Sequence, residues 1–159
     1  MSHPPAPSIP PPGSPPEPSW GSICSHLALG EGALAALQIQ ALRAGRPDLL
    51  SEHETHYWLG LAYLLALEWS RATTELRAYL ASDASSARAG WAFLHLGRAY
   101  EQLGHADEAS LAYRGCLAVP AAERAARRLA FDLMSRLAGS LPIGYGQASS
   151  RPTDHGRGR

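Results

Sequence analysis

Small residues recur at one fixed interval along this chain, and that interval limits what it can fold into. Ala35, Ala72 and Ala109 stand 37 residues apart, and Ile39, Leu76 and Tyr113 follow them at the same interval. Gly60 and Gly97 keep it too, inside His56-x-x-Leu59-Gly60-x-x-Tyr63 and Phe93-x-x-Leu96-Gly97-x-x-Tyr100. Within each copy, large apolar residues mark one face of a first helix, and small and large residues mark one face of a second. A glycine or alanine on a helix face lets an antiparallel neighbour approach closely. One short hairpin buries too little surface to stand alone, so copies of this kind stack. The spacing therefore predicts an all-α solenoid over residues 19–138: about three antiparallel helix hairpins plus a C-terminal capping helix.

The third copy reads Phe93, Leu96-Gly97, Tyr100, Ala109, Tyr113 and Pro120. This order of aromatic, Leu-Gly, Tyr, Ala, aromatic and Pro resembles the tetratricopeptide repeat family. The resemblance spans roughly residues 18 to 120, with Gly30, Ala35, Ile39 and Pro47 supplying the back half of the first copy. Ile23 stands in that copy where the later two have glycine. The plain repeat of the family is about 34 residues, and the extra residues here fall between hairpins, where a longer loop costs little.

The resemblance implies a module that binds peptides or proteins in a concave groove lined by the front helices. Carried over residue by residue, the groove positions are Trp20, Cys24 and Leu27 in the first copy. They are Tyr57, Leu61, Leu64 and Leu65 in the second, and Trp91, Leu94, Arg98, Glu101 and Gln102 in the third. The repeat-packing positions are Ala35, Gly60, Tyr63, Ala72, Gly97, Tyr100, Ala109 and Tyr113. The groove set is mostly aromatic and aliphatic, which predicts an apolar peptide or helix as ligand. The alternative is that the same surface closes against the proline-rich tail or a second copy of the chain, giving a homodimer or self-associating subunit. Groove clamps for the C-terminal carboxylate of heat-shock chaperones use lysine and asparagine. This chain has neither, which argues against that subtype.

Composition narrows the function further. Acidic and basic residues balance at 14 each, and every basic residue is arginine. That balance gives no electrostatic case for nucleic acid or an anionic membrane surface. Abundant alanine with no lysine or asparagine suggests a GC-rich bacterial coding sequence. No apolar stretch reaches the ~18 residues a membrane helix needs. The N-terminus has no basic region followed by an apolar run, so a cytoplasmic protein is expected. Cys24 and Cys116 form no Cys-x-x-Cys pair and read as small packing residues.

Residues 1–18 are proline-rich and residues 139–159 rich in Gly, Ser and Arg, so both are expected to be disordered tails. Pro4, Pro7 and Pro10 also have the P-x-x-P spacing of a docking motif. Between the tails, helices are expected near Trp20–Leu29, Glu31–Ala44, Ser51–Leu67, Trp69–Ala81 and across the third copy. A last helix is expected from Pro120 to Leu137, closed by Gly139. Its apolar stripe is Ala126, Leu129, Ala130, Leu133 and Leu137, with Arg124, Arg127, Arg128 and Asp132 facing elsewhere. Ala35, Leu37, Ile39 and Leu42 are the expected apolar positions of the second helix. Ser51 and Glu54 have capping-box spacing, and the Ser82–Ser86 linker offers several N-caps.

An enzymatic reading rests on His53-Glu54-Thr55-His56, whose histidines at i, i+3 could share a metal in a metal-dependent enzyme. The spacing is not the i, i+4 of zinc peptidases, and no second cluster supplies further ligands. His105-Ala106-Asp107-Glu108 opens a helix, where acidic residues suit the dipole. No catalytic residue, cofactor or metal is assigned.

Overall fold

The computed structural model of the protein describes residues 18–140. Among them are seven helices: α1 Trp20–Ala28, α2 Gly32–Gly45, α3 Glu52–Leu65, α4 Trp69–Ser82, α5 Ala87–Gln102, α6 Ala106–Ala118 and α7 Arg124–Ser140. Each packs on the next in chain order, and α5 also touches α3 and α7. The fold is thus an all-α solenoid of three hairpins and a terminal helix. Of the two tails expected from composition, residues 1–18 and 139–159, residues 1–17 and 141–159 lie outside the described residues, and Gly139 and Ser140 belong to α7 rather than to a tail. No helix among the described residues is long and apolar enough to cross a membrane.

Serine starts the front helix of every hairpin. Ser19, Ser51 and Ser86 each accept a hydrogen bond from the backbone N–H three residues on, at 3.2, 3.2 and 3.1 Å. That satisfies one of the donors a helix N-terminus leaves unpaired. Asp83 holds the linker before α5 by accepting from the N–H groups of Ser85 and Ser86, both at 3.1 Å.

The turn inside each hairpin is the same turn three times. Gly30, Leu67 and Gly104 adopt φ of 76°, 61° and 77°. The next residue's N–H then reaches back to the helix's last turn: Glu31 to His26, Glu68 to Tyr63 and His105 to Tyr100, at 2.8–2.9 Å. This is the left-handed helix stop that glycine makes easy. The second hairpin builds it with leucine instead.

Close approach of helices fixes the stacking. A Cβ at Gly60 would lie 2.7 Å from Leu76 Cγ, and one at Gly97 would lie 2.6 Å from Tyr113 Cδ1. Ala35, Ala72, Ala109, Leu76 and Tyr113 are fully buried, and Tyr63 nearly so. Tyr100 is half-buried and stacks on His105 with ring centroids 6.1 Å apart. Three apolar clusters follow one another along the chain: Ile23, Ile39 and Leu59; then Leu76, Tyr79 and Leu96; then Leu94, Tyr113 and Leu133.

Sequence reasoning missed several local features. Gly32 abuts the α3 C-terminus, where a Cβ would sit 2.7 Å from the Leu65 carbonyl carbon. Pro120 does not open α7; it lies in a turn that delivers Ala122 against Gly90. Gly139 does not stop α7 but lies within it. Leu37 is 63% exposed, because it lies nearly half a turn round α2 from Ala35 and Ile39. Leu129 is 41% exposed at the edge of the α7 stripe.

Candidate functional site

One side of the solenoid is built from the odd-numbered helices, and two clefts open along it. Glu54, Trp58, Leu61 and Leu65 follow one another at helical spacing on a single face of α3. On α5, Arg88, His95, Arg98 and Gln102 do the same. The start of each face lines one cleft and its end lines the other.

The first cleft, of about 430 Å³, lies between α1, the loop before α3, and the starts of α3 and α5. Trp20 packs edge-on against Trp58, their ring centroids 5.0 Å apart. The Arg88 guanidinium lies 5.3 Å from the Tyr57 ring and 5.6 Å from the Trp58 ring. It also reaches Glu54 at 3.5 Å. The cation of this cleft is therefore matched within the chain by a carboxylate and two aromatic faces. Cys24 lines the cleft and is exposed, so it is not the packing residue its type suggested. Cys116 is buried, which pushes its thiol pKa up.

The second cleft, of about 510 Å³, lies between the C-terminal halves of α3 and α5, the start of α4, and α7. Leu61, Leu64 and Leu65 form one wall, with Leu67 and Trp69 beside them and Leu133 across from α7. Arg98, Glu101, Gln102 and Arg136 supply its polar groups. Glu101 is already engaged: the Tyr113 hydroxyl donates to its carboxylate. Burial, and then that carboxylate, raise the Tyr113 pKa far above its usual value, so the hydroxyl stays a donor. Burial, with Arg98 adding to it, lowers His95 to about 4, so its ring is neutral at pH 7. The His95 ring lies 6.1 Å from that of Trp91, and its Nδ1 is buried without a hydrogen-bond partner.

Of the groove positions carried over from the sequence, this face brings together Trp20, Cys24, Leu61, Leu64, Leu65, Arg98, Glu101 and Gln102. It does not include Tyr57 or Leu94. Tyr57 is 7% exposed and packs on Tyr79, and Leu94 is fully buried beside Tyr113. One residue further on turns the helix by about 100°, and Trp58 and His95 take the inner face instead. Leu27 packs on the first core cluster, and Trp91 is partly buried between the second and third. Arg88 and Arg136 are cleft residues that the repeat positions did not supply. Their signal is only helical spacing, from His95 back to Arg88 and from Leu133 on to Arg136.

The histidines of α3 turn away from this face. His53 Nδ1 meets Ser82 Oγ at 2.6 Å, and its ring stacks on Tyr79. His56 Nδ1 meets the Glu75 carboxylate at 2.7 Å. Both therefore tie α3 to the α4 hairpin arm. No group of three His, Cys, Asp or Glu side chains gathers to hold a metal among the described residues. A scan against protein-family models returns no match to this chain, and a search of curated proteins finds none with significant similarity.

Proposed function

We propose that this chain is a tetratricopeptide-type interaction module, an adaptor or assembly factor that holds an apolar peptide or helix along its inner face. One observation carries the reading: the odd-numbered helices leave aliphatic and aromatic side chains uncovered along two adjoining clefts on one side. Trp20 on α1 is 40% exposed and Leu65 on α3 37%, and Leu67 in the turn after α3 adds a further exposed leucine at 67%. Exposed apolar groups grouped in concavities favour a partner, whereas single ones scattered over a surface do not. Balanced charge supports a protein ligand over nucleic acid. A cytoplasmic location is part of the same proposal.

The test is affinity capture with the full chain from source-cell extract, against the Leu61→Glu/Leu65→Glu double variant. Both leucines face the cleft, so the variant should keep its helical circular dichroism. The reading predicts partners held by the native chain and lost from the variant. Equal capture by both proteins would refute it.

Self-association is the second reading, favoured by a different surface. Leu34 and Leu37 on α2 are 48% and 63% exposed, beside exposed Ala33, Ala41 and Ala44. Light scattering across a concentration series tests it, and a mass fixed at 17.0 kDa would end it.

A further inference from the structure

We infer that the second cleft takes an aliphatic side chain of a partner peptide together with a side-chain carboxylate beside it, which Arg98 and Arg136 receive. The inference rests on the inner-face reading above and specifies the ligand for that face.

The two clefts differ in how their charges are matched. In the first, Arg88 meets Glu54 and two aromatic rings. In the second, Arg98 and Arg136 line the same cavity, and neither belongs to an ion pair among the described residues. The one carboxylate there, Glu101, already accepts the Tyr113 hydroxyl. The His95 ring adds no charge at pH 7. The cleft thus presents two cations and one anion beside an aliphatic wall of Leu61, Leu65 and Leu133. Guanidinium forks match a planar carboxylate, and an apolar surround strengthens that contact. A dianionic group would meet Glu101, so a singly charged carboxylate fits better than a phosphate. The α3 and α5 faces run on from this cleft into the first, which suits an acidic side chain within a segment rather than a chain end.

A random 12-residue peptide library, displayed with its C-termini joined to the carrier, is selected on the full native chain. The best peptides are then synthesised with amidated C-termini. The inference expects Asp or Glu next to Leu, Ile or Val in the selected set. Replacing that acid by its amide should weaken binding roughly tenfold, the usual net effect of one charged hydrogen bond. Arg98→Gln/Arg136→Gln should cause the same loss, and the two losses should not add. Selected peptides without acidic residues, lost on Leu61→Glu/Leu65→Glu but unaffected by the arginine variant, would overturn this inference and leave the inner-face reading standing. Amidated peptides that bind weakly, but tightly when the same sequences are made with a free C-terminal carboxylate and no acidic side chain, would also overturn it. No enrichment at all would sink both.

Discussion

Gly97 sits where the third hairpin closes, and adding one methyl group there directly perturbs the packing of α5 on α6. Gly97→Ala would place a Cβ 2.6 Å from Tyr113 Cδ1 and 2.8 Å from its Cζ. Carbon atoms in favourable contact sit about 3.5–4.0 Å apart, so ring or helix must move by about an ångström. The ring has little room to do so. Tyr113 is fully buried, and its hydroxyl is tied to Glu101. Overpacking of this kind costs about 3 kcal/mol at the upper end of its usual range. Alanine regains about 1 kcal/mol over glycine through helix propensity. The expected net loss is therefore about 2 kcal/mol. Gly139→Ala is the control: that helical position has nothing within 4 Å, so only the propensity gain applies. Urea unfolding followed by circular dichroism measures both, with an unchanged m-value as the condition for comparing midpoints. The packing argument fails if Gly97→Ala is as stable as the native chain, or if the two variants shift the midpoint in the same direction.

Three further outcomes follow from the structure. Leu67→Gly should stabilise the protein by about 1 kcal/mol in the same assay, because a left-handed residue costs about 1–2 kcal/mol for a non-glycine side chain and leucine holds that position here. Ser86→Ala should cost about 1 kcal/mol by removing the oxygen that caps α5 at Ala89 N–H. His95 is lowered from 6.5 to about 4 in the folded chain, so the unfolded chain binds the extra proton between those values. Its contribution is complete above about pH 6.5 and is lost as pH falls towards about 4; His95→Phe should flatten that part of the stability profile, and an unchanged slope would refute the assignment.

How far the sequence reaches depends on which physical signal each feature leaves. The hairpins were legible because close helix approach demands small side chains, and Gly60, Gly97, Ala72 and Ala109 mark that demand at one interval. Serine at Ser51 and Ser86 was legible because few residues cap a helix well. The face of α3 was not. Trp58, Leu59, Leu61, Leu64 and Leu65 make it apolar nearly all round, so periodicity alone does not say which side meets solvent. Tyr57 and Leu94 were carried over from the repeat pattern, and each lies one residue short of the cleft residues Trp58 and His95. The Leu67 turn carries no glycine, so its left-handed backbone leaves no trace in residue type. The true start of α7 hides for another reason: Ala122 packs under Gly90, a tertiary contact between residues that look unremarkable in sequence.

Isotope-labelled protein of 17.0 kDa is suited to shift mapping by nuclear magnetic resonance, which locates a bound peptide residue by residue. A peptide selected from the library is titrated into the full chain. The account predicts shifts confined to the cleft faces of α3, α5 and α7, at Leu61, Leu65, Arg98, Gln102 and Leu133, with α2 and α6 undisturbed. Shifts centred on the outer faces of α2, α4 or α6, with the cleft residues unmoved, would contradict it.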